Sequence, residues 1–198
     1  MKNTFIIIFA CCFLSCSTSK YVPIVIDPLE QNPTEYIFYS SKQEVEKAII
    51  EAFGGRKSSK KSKFSGYFLS EYPKGSFKLL SDGGNLSKVY FRKNGEAYRY
   101  IPTIQIVIDS IAESTTKVSI NITDPKIFTR LTLLPTFPWM ERGGKYLIVS
   151  ATTVEEYEIL LMIGKELKEE NMPELKIPQK IILKNNGKQV IPKKRKKE

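Results

Sequence analysis

Apolar positions spaced three and four residues apart predict two amphipathic helices in this chain. The first follows Ser41, which stands three residues before Glu44, the spacing of a capping box. The second follows Thr153, whose spacing to Glu156 repeats that arrangement, and it is predicted to run to about Asn171. Acidic residues at its start suit the positive end of the helix dipole, so no catalytic role is needed to explain them.

Alternating apolar and polar residues predict antiparallel strands between these helices. The clearest run extends from Ala97 to Ile111, and the chain returns over Lys117–Thr123. Asn94-Gly95, just before the first of these runs, is a strong hairpin signal. Shorter strands are predicted at 36–39, 64–72, 75–80, 88–93, 145–150 and 181–183. The sequence therefore predicts an α+β fold, with a curved antiparallel β-sheet and an N-terminal and a long C-terminal helix packed on one face.

The order of these elements resembles that of the helix-grip class of folds, in which a long terminal helix lies across a curved sheet. The resemblance concerns element order alone. It implies an apolar pocket between the sheet and the C-terminal helix as an expectation for this chain, and it implies no functional residues.

The first sixteen residues have the layout of an export signal. Lys2 provides a basic start, and an apolar run of ten residues extends from Phe5 to Leu14. Because a helix that spans a bilayer needs roughly 20 residues, this run is too short to be a membrane span. The sequence therefore predicts that residues 1–15 are a signal peptide.

The residues at the end of this segment, Phe13-Leu14-Ser15-Cys16, resemble the lipobox of bacterial lipoproteins. The resemblance implies that the chain is cut before Cys16 and that the sulfur of this cysteine carries a diacylglycerol. Phe13 departs from the leucine that is usual in this family, and Ile8–Cys11 is a rival lipobox behind a shorter apolar run. An ordinary secretion signal, cut near Ser15 or Ser17, is the alternative and would release a soluble protein.

The resemblance also implies where the mature chain lies. Two or more acyl chains would anchor it stably to a membrane outside the cytoplasm. The neutral Ser17 after the cysteine favours the outer membrane, with the chain facing the periplasm. We expect residues 16–34 to form a lipid-anchored tether, residues 35–172 a single α+β domain and residues 173–198 a basic C-terminal tail.

The formal net charge of +10 is concentrated near the end of the chain. Nine lysines and arginines and two glutamates lie between residues 173 and 198. Basic runs of this kind attract polyanions, and an exported chain meets anionic lipid or envelope glycopolymer rather than nucleic acid. The expected contact residues are Lys193, Lys194, Arg195, Lys196 and Lys197. The alternative is that this tail is a solvated segment that aids solubility.

Residue types found in common catalytic and metal sites are missing from the mature sequence. The chain has no histidine, and its three cysteines all lie within residues 1–16. Zinc sites of the cysteine and histidine type are therefore excluded, and so is histidine as a general base. Because the sequence also lacks a nucleophile motif, a phosphate loop and an EF-hand loop, we predict no catalytic residue, no metal and no cofactor.

A proline-rich and aromatic stretch around Trp139 is the strongest candidate for a contact site. Leu134, Phe137 and Trp139 lie between two predicted strands, where such residues form an anchor on a partner or a lid over a pocket. The alternative is that they close one end of the core. The sequence leaves three hypotheses: a non-catalytic envelope lipoprotein that binds another envelope protein, a carrier of a lipid or other apolar ligand, and, least favoured, an enzyme.

Overall fold

The structure is a computed structural model that describes residues 20–22, 31–54, 67–71, 76–81, 85–133 and 141–184. These residues form two helices, α1 (Lys42–Phe53) and α2 (Val154–Leu167). They also form the strands β1 (Lys20–Val22), β2 (Glu35–Phe38), β3 (Tyr67–Glu71), β4 (Ser76–Ser81), β5 (Leu86–Arg92), β6 (Ala97–Ala112), β7 (Thr115–Leu133), β8 (Glu141–Val149) and β9 (Ile181–Leu183). The fold is mixed α+β, as the sequence predicts.

All the described strands join one curled sheet. Its main path has the order β1-β8-β7-β6-β4-β3, β2 pairs with β7, and β5 pairs with β6 and β9. The neighbours β6, β7 and β8 are antiparallel, in agreement with the alternating pattern of the sequence. Two short strands at the margins, β1 on β8 and β9 on β5, pair in parallel.

Both helices contribute to an apolar core on one face of this sheet. In β6 the side chains of Ile104, Ile106 and Ile108 point to that face and are buried, because successive side chains of a strand alternate between faces. Ile49 of α1 and Leu160 of α2 belong to the same cluster. The two helices also contact each other. We call this the inner face and the opposite side of the sheet the outer face.

The long C-terminal helix expected from the sequence is wrong in its length. Helix α2 has 14 residues and ends at Leu167, not near Asn171. Lys168 adopts the left-handed conformation (φ 60°), and the chain then reverses so that Met172 packs over Gly164. A glycine at position 164 predicts that another backbone approaches the helix closely, but it is the side chain of Met172 that makes the contact.

The two predicted capping boxes have different outcomes. At α1, the Ser41 hydroxyl accepts from the Glu44 N–H and the Glu44 carboxylate accepts from the Ser41 N–H, so the box is confirmed. At α2, Thr153 has a left-handed backbone and its side chain caps no helix N–H. Only the half of that box in which Glu156 accepts from the Thr153 backbone is present.

Strand β7 extends far beyond the predicted Lys117–Thr123. Asp124 has a positive φ of 54°, and the register of β6 and β7 shifts between the pairs Thr103–Thr123 and Ile101–Lys126. Pro125 therefore falls in a bulge, where its missing N–H costs no ladder bond, and pairing resumes beyond it.

Residues on both sides of the predicted domain boundaries pack on this fold. The Asn32 amide donates to the Lys176 carbonyl and its oxygen accepts from the Lys176 N–H, each at 2.8 Å. The predicted strand at 181–183 is confirmed as β9. The packed part of the chain therefore reaches Leu183. Among the described residues, no helix has the length and apolar character needed to cross a bilayer.

Candidate functional site

The predicted site residues lie outside the described residues. This holds for the lipidation residue Cys16, for the basic run 193–197 and for the contact residues Leu134, Phe137 and Trp139. The structure fixes the strands that flank the last group, since β7 ends at Leu133 and β8 begins at Glu141. Residues 134–140 thus connect two neighbouring antiparallel strands.

The described residues bring together a set of polar groups that the sequence did not single out. Two consecutive carboxyl groups in the first turn of α2, those of Glu155 and Glu156, are only 5% and 3% exposed. The Thr152 hydroxyl donates to Glu155. Within the described part of the chain, Oε2 of Glu156 has no hydrogen-bond partner. A buried oxygen without a partner costs free energy, so this atom marks a place where a polar group fits.

Tyrosines from three strands lie beside these carboxyl groups: Tyr67 and Tyr100 interact with both glutamates, and the Tyr90 ring packs beside that of Tyr100. Tyr67 of β3 is hydrogen-bonded to the Asn85 side chain, and Tyr90 of β5 donates to the Ser150 carbonyl at 2.6 Å. Tyr100 of β6 is 1% exposed, and its hydroxyl finds no partner among the residues that the structure describes. We call Glu155, Glu156, Tyr67, Tyr90 and Tyr100 the buried cluster.

Burial governs the proton affinities of this cluster. Desolvation raises the pKa of Glu156 to about 7, with the neighbouring Glu155 carboxylate adding to the effect. Desolvation also raises the pKa of Glu155, against the opposing hydrogen bond from Thr152. The pKa values of Tyr67 and Tyr100 are raised by burial first and by the glutamates second. Near neutral pH the cluster therefore holds protons on the phenols of Tyr67 and Tyr100 and on part of its carboxyl groups.

The buried cluster offers hydrogen-bond donors and acceptors to a ligand. An ion pair between Lys88 and Glu158 lies beside the cluster. Among the described residues, no group of three acidic, histidine or cysteine side chains is arranged to hold a metal ion. The cluster can bind a proton or a small polar molecule.

A second feature lies on the outer face, where one register row crosses four strands. The pairs Tyr146–Phe128, Phe128–Arg99 and Arg99–Leu86 follow one another across the sheet. Residues that pair directly point to the same face, so their side chains form a continuous line. We call Tyr146, Phe128, Arg99 and Leu86 the outer row. Leu86 is 63% exposed and Tyr146 is 39% exposed.

An open groove of about 660 Å³ lies along the outer row. Its apolar part is formed by Leu86, Ala97 and Phe128, and its charged part by Arg92, Arg99 and Glu96. Within the described ranges, neither guanidinium forms an ion pair with a carboxylate. We call this the arginine groove. An apolar floor beside two arginines suits an anion that carries an apolar part.

The space between α2 and the sheet, where the carrier hypothesis puts its ligand, is occupied by side chains. Tyr157, Ile159, Leu160 and Ile163 are all fully buried there. They pack in one cluster with Ile104 of β6.

Periodicity contains a signal for one of the missed residues. Glu156 stands four and seven residues before Leu160 and Ile163, which is the spacing of one helix face. The buried face of α2 is wider than the stripe predicted from Val154, Tyr157 and Leu160, and it includes both glutamates. The tyrosines carry no comparable signal, because alternation in β5 and β6 does not say which helix covers them.

Comparison with known proteins yielded no match to any family model, to any curated protein or to any solved structure.

Proposed function

We propose that this chain is a lipid-anchored lipoprotein of the bacterial envelope, held at the outer membrane and facing the periplasm. In this proposal it is a non-catalytic component that binds or assembles with another envelope protein. The observation that carries it is the Phe13–Cys16 sequence, which ends an apolar run and is followed within four residues by folded chain.

The position of β1 supports a short connection between anchor and domain. Lys20 begins β1 and pairs with Leu147 of β8, so only residues 17–19 separate it from Cys16. A fully extended chain spans at most about 3.5 Å per residue, which limits the distance between the Cα atoms of Cys16 and Lys20 to about 14 Å. An acylated Cys16 would therefore keep the β1 edge of the sheet close to the membrane.

The same topology supports a partner contact by residues 134–140. Strand β1 runs parallel to β8, so Lys20, its first residue, lies toward the end of the sheet where β8 begins. Residues 134–140 connect β7 to β8 at that end. We propose that Leu134, Phe137 and Trp139 contact an envelope protein there, and that Lys193–Lys197 contact anionic lipid or glycopolymer.

Metabolic labelling tests the anchor. Cells that express the full chain are grown with labelled palmitate, and their membranes are separated into inner and outer fractions. We expect label on the wild type in the outer membrane, none on Cys16→Ala, and full labelling of the control Cys11→Ala. An unlabelled wild type, or label that survives Cys16→Ala and is lost with Cys11→Ala, would overturn the assignment of Cys16.

Crosslinking in intact cells tests the partner contact. The wild type is expected to crosslink to one discrete envelope protein, and Trp139→Ala is expected to lose this product. Tyr39→Ala is the matched control, since Tyr39 is 81% exposed and lies beside Ser40, whose carbonyl accepts from Thr116 at the opposite end of β7. A product that persists in Trp139→Ala, or no product at all, counts against the proposed contact.

A further inference from the structure

We infer that the arginine groove binds the phosphate headgroup of an anionic phospholipid in the membrane to which the chain is anchored. The inference rests on the proposed lipid anchor for its access to lipid. It concerns Arg92, Arg99 and the outer row rather than the basic run 193–197.

The outer row lies close to β1, the strand that follows the proposed anchor. The row begins with Tyr146 on β8, the strand that pairs with β1, and Tyr146 is the residue before Leu147, the partner of Lys20. Neighbouring strands lie about 4.8 Å apart, so the row extends from one to four strand spacings away from β1, or about 5 to 19 Å. With Cys16 within about 14 Å of Lys20, the Tyr146 end of the row lies close to a bilayer that holds the anchor.

The side chains of the outer row suit the boundary between lipid and water. Tyr146 and Phe128 form an edge-to-face pair with ring centroids 5.4 Å apart, and Tyr146 keeps 39% of its surface exposed. Aromatic rings with a polar tip are favoured at the boundary between lipid and water. Leu86, at the other end of the row, exposes 63% of its surface and belongs to neither of the two core clusters of described residues. Aromatic and apolar groups thus flank the arginine at the centre of the row.

The arginine groove carries positive charge that suits a phosphate group. Arg92 and Arg99 both line the groove, with Glu96 as the one acidic lining residue, so the groove has a net positive charge. Arg92 lies over the Tyr98 ring, 5.0 Å from its centroid, a contact that leaves the donors at the guanidinium edge free for an acceptor. Guanidinium groups bind phosphate with two parallel hydrogen bonds, and the acyl part of a lipid then has Leu86 and Phe128 as neighbours.

Calorimetric titration of the full chain in nonionic detergent micelles tests the groove. The probes are dihexanoyl phosphatidylglycerol, dihexanoyl phosphatidylcholine and glycerol 3-phosphate. We expect the wild type to bind the anionic lipid more tightly than the other two. Each arginine near a lipid surface contributes about fivefold in affinity, so Arg92→Gln/Arg99→Gln is expected to bind it about 25-fold more weakly.

A control variant that loses the same charge distinguishes lipid binding in the groove from general electrostatic attraction to the anionic lipid. Lys47→Gln/Lys165→Gln removes two exposed cations from the helices, on the inner side of the sheet, and is expected to bind like the wild type. Equal weakening in the two double variants, equal affinity for the zwitterionic lipid, or equally tight binding of glycerol 3-phosphate overturns the inference. Because the titration needs no acyl chain on the protein, a lack of palmitate label overturns the anchor alone, and a groove that binds no lipid overturns this inference alone.

Discussion

Replacing Glu156 by glutamine tests the buried cluster most directly. Glutamine keeps the shape of the side chain and its carbonyl oxygen, which accepts from the Thr153 backbone, but it cannot ionise. Glu156 is 3% exposed, and its pKa of about 7 lies above the ordinary value of 4.5 because burial disfavours the carboxylate. The variant therefore removes the ionisation of this one carboxyl group and keeps the size of the side chain.

The sign and size of the effect follow from proton linkage. The folded state holds this proton more tightly than the unfolded state, so the contribution of Glu156 to stability is full below pH 4.5 and is lost as the pH rises through 7. A rise from 4.5 to about 7 corresponds to about 3.4 kcal/mol in all, of which about 2.5 kcal/mol falls between pH 5 and pH 8. The pKa of Glu155 is also raised, which acts in the same direction.

Urea unfolding at pH 5, 6, 7 and 8 measures this difference. We expect the free energy of unfolding of Glu156→Gln, relative to the wild type, to increase by about 2.5 kcal/mol from pH 5 to pH 8. Glu51→Gln, which removes an exposed carboxyl from α1, is the control and is expected to follow the wild type in its pH dependence. If Glu156→Gln and the wild type change in parallel over this range, the carboxyl is not buried as described and the cluster does not exist.

Two further substitutions test how the ends of the fold are held. Asn32→Ala leaves the Lys176 N–H and carbonyl without their partner and is expected to lower the free energy of unfolding by about 2 kcal/mol in urea, whereas an unchanged midpoint would mean that this contact does not form. Gly164→Val places a Cβ in overlap with Met172 Sδ, and because this sulfur is near the end of a flexible side chain that can shift, the expected cost is at the lower end of the overpacking range, about 1 kcal/mol. Because Met172→Ala removes the overlapping atom, the double variant is expected to recover part of that loss, and strictly additive effects would contradict the contact.

Elements with a local signal were predictable from the sequence. Helix α1 has one apolar face, a capping box at Ser41 and glycine after its end, and each of these depends on residues a few positions apart. The alternation of Ile104, Ile106 and Ile108 likewise fixes which face of β6 is buried before any partner is known. For these elements the local preference and the final packing agree.

Features that depend on distant parts of the chain were not predictable. The Asn32 amide pairs with a residue 144 positions away, and a single asparagine in a proline-rich segment gives no hint of it. The parallel pairing of β1 with β8 and of β9 with β5 depends on which strands of the sheet leave an edge open. The outer row depends on the register of four strands, which a bulge at Asp124-Pro125 shifts in β7.

Glu155 and Glu156 are buried beside one of these distant contacts. The first backbone N–H groups of a helix lack partners within it, and a threonine at the N-cap ordinarily supplies one. Here the Thr153 hydroxyl accepts from the Asn32 N–H at 2.9 Å instead, and it caps no helix N–H. The Glu155 and Glu156 carboxyl groups accept from backbone N–H groups in that turn, and both side chains are almost fully buried. The Asn32 N–H thus binds the Thr153 hydroxyl that would otherwise cap α2, and the carboxyl groups of Glu155 and Glu156 accept from the helix N–H groups instead. This explains why acidic side chains occupy positions that helical spacing assigns to apolar ones.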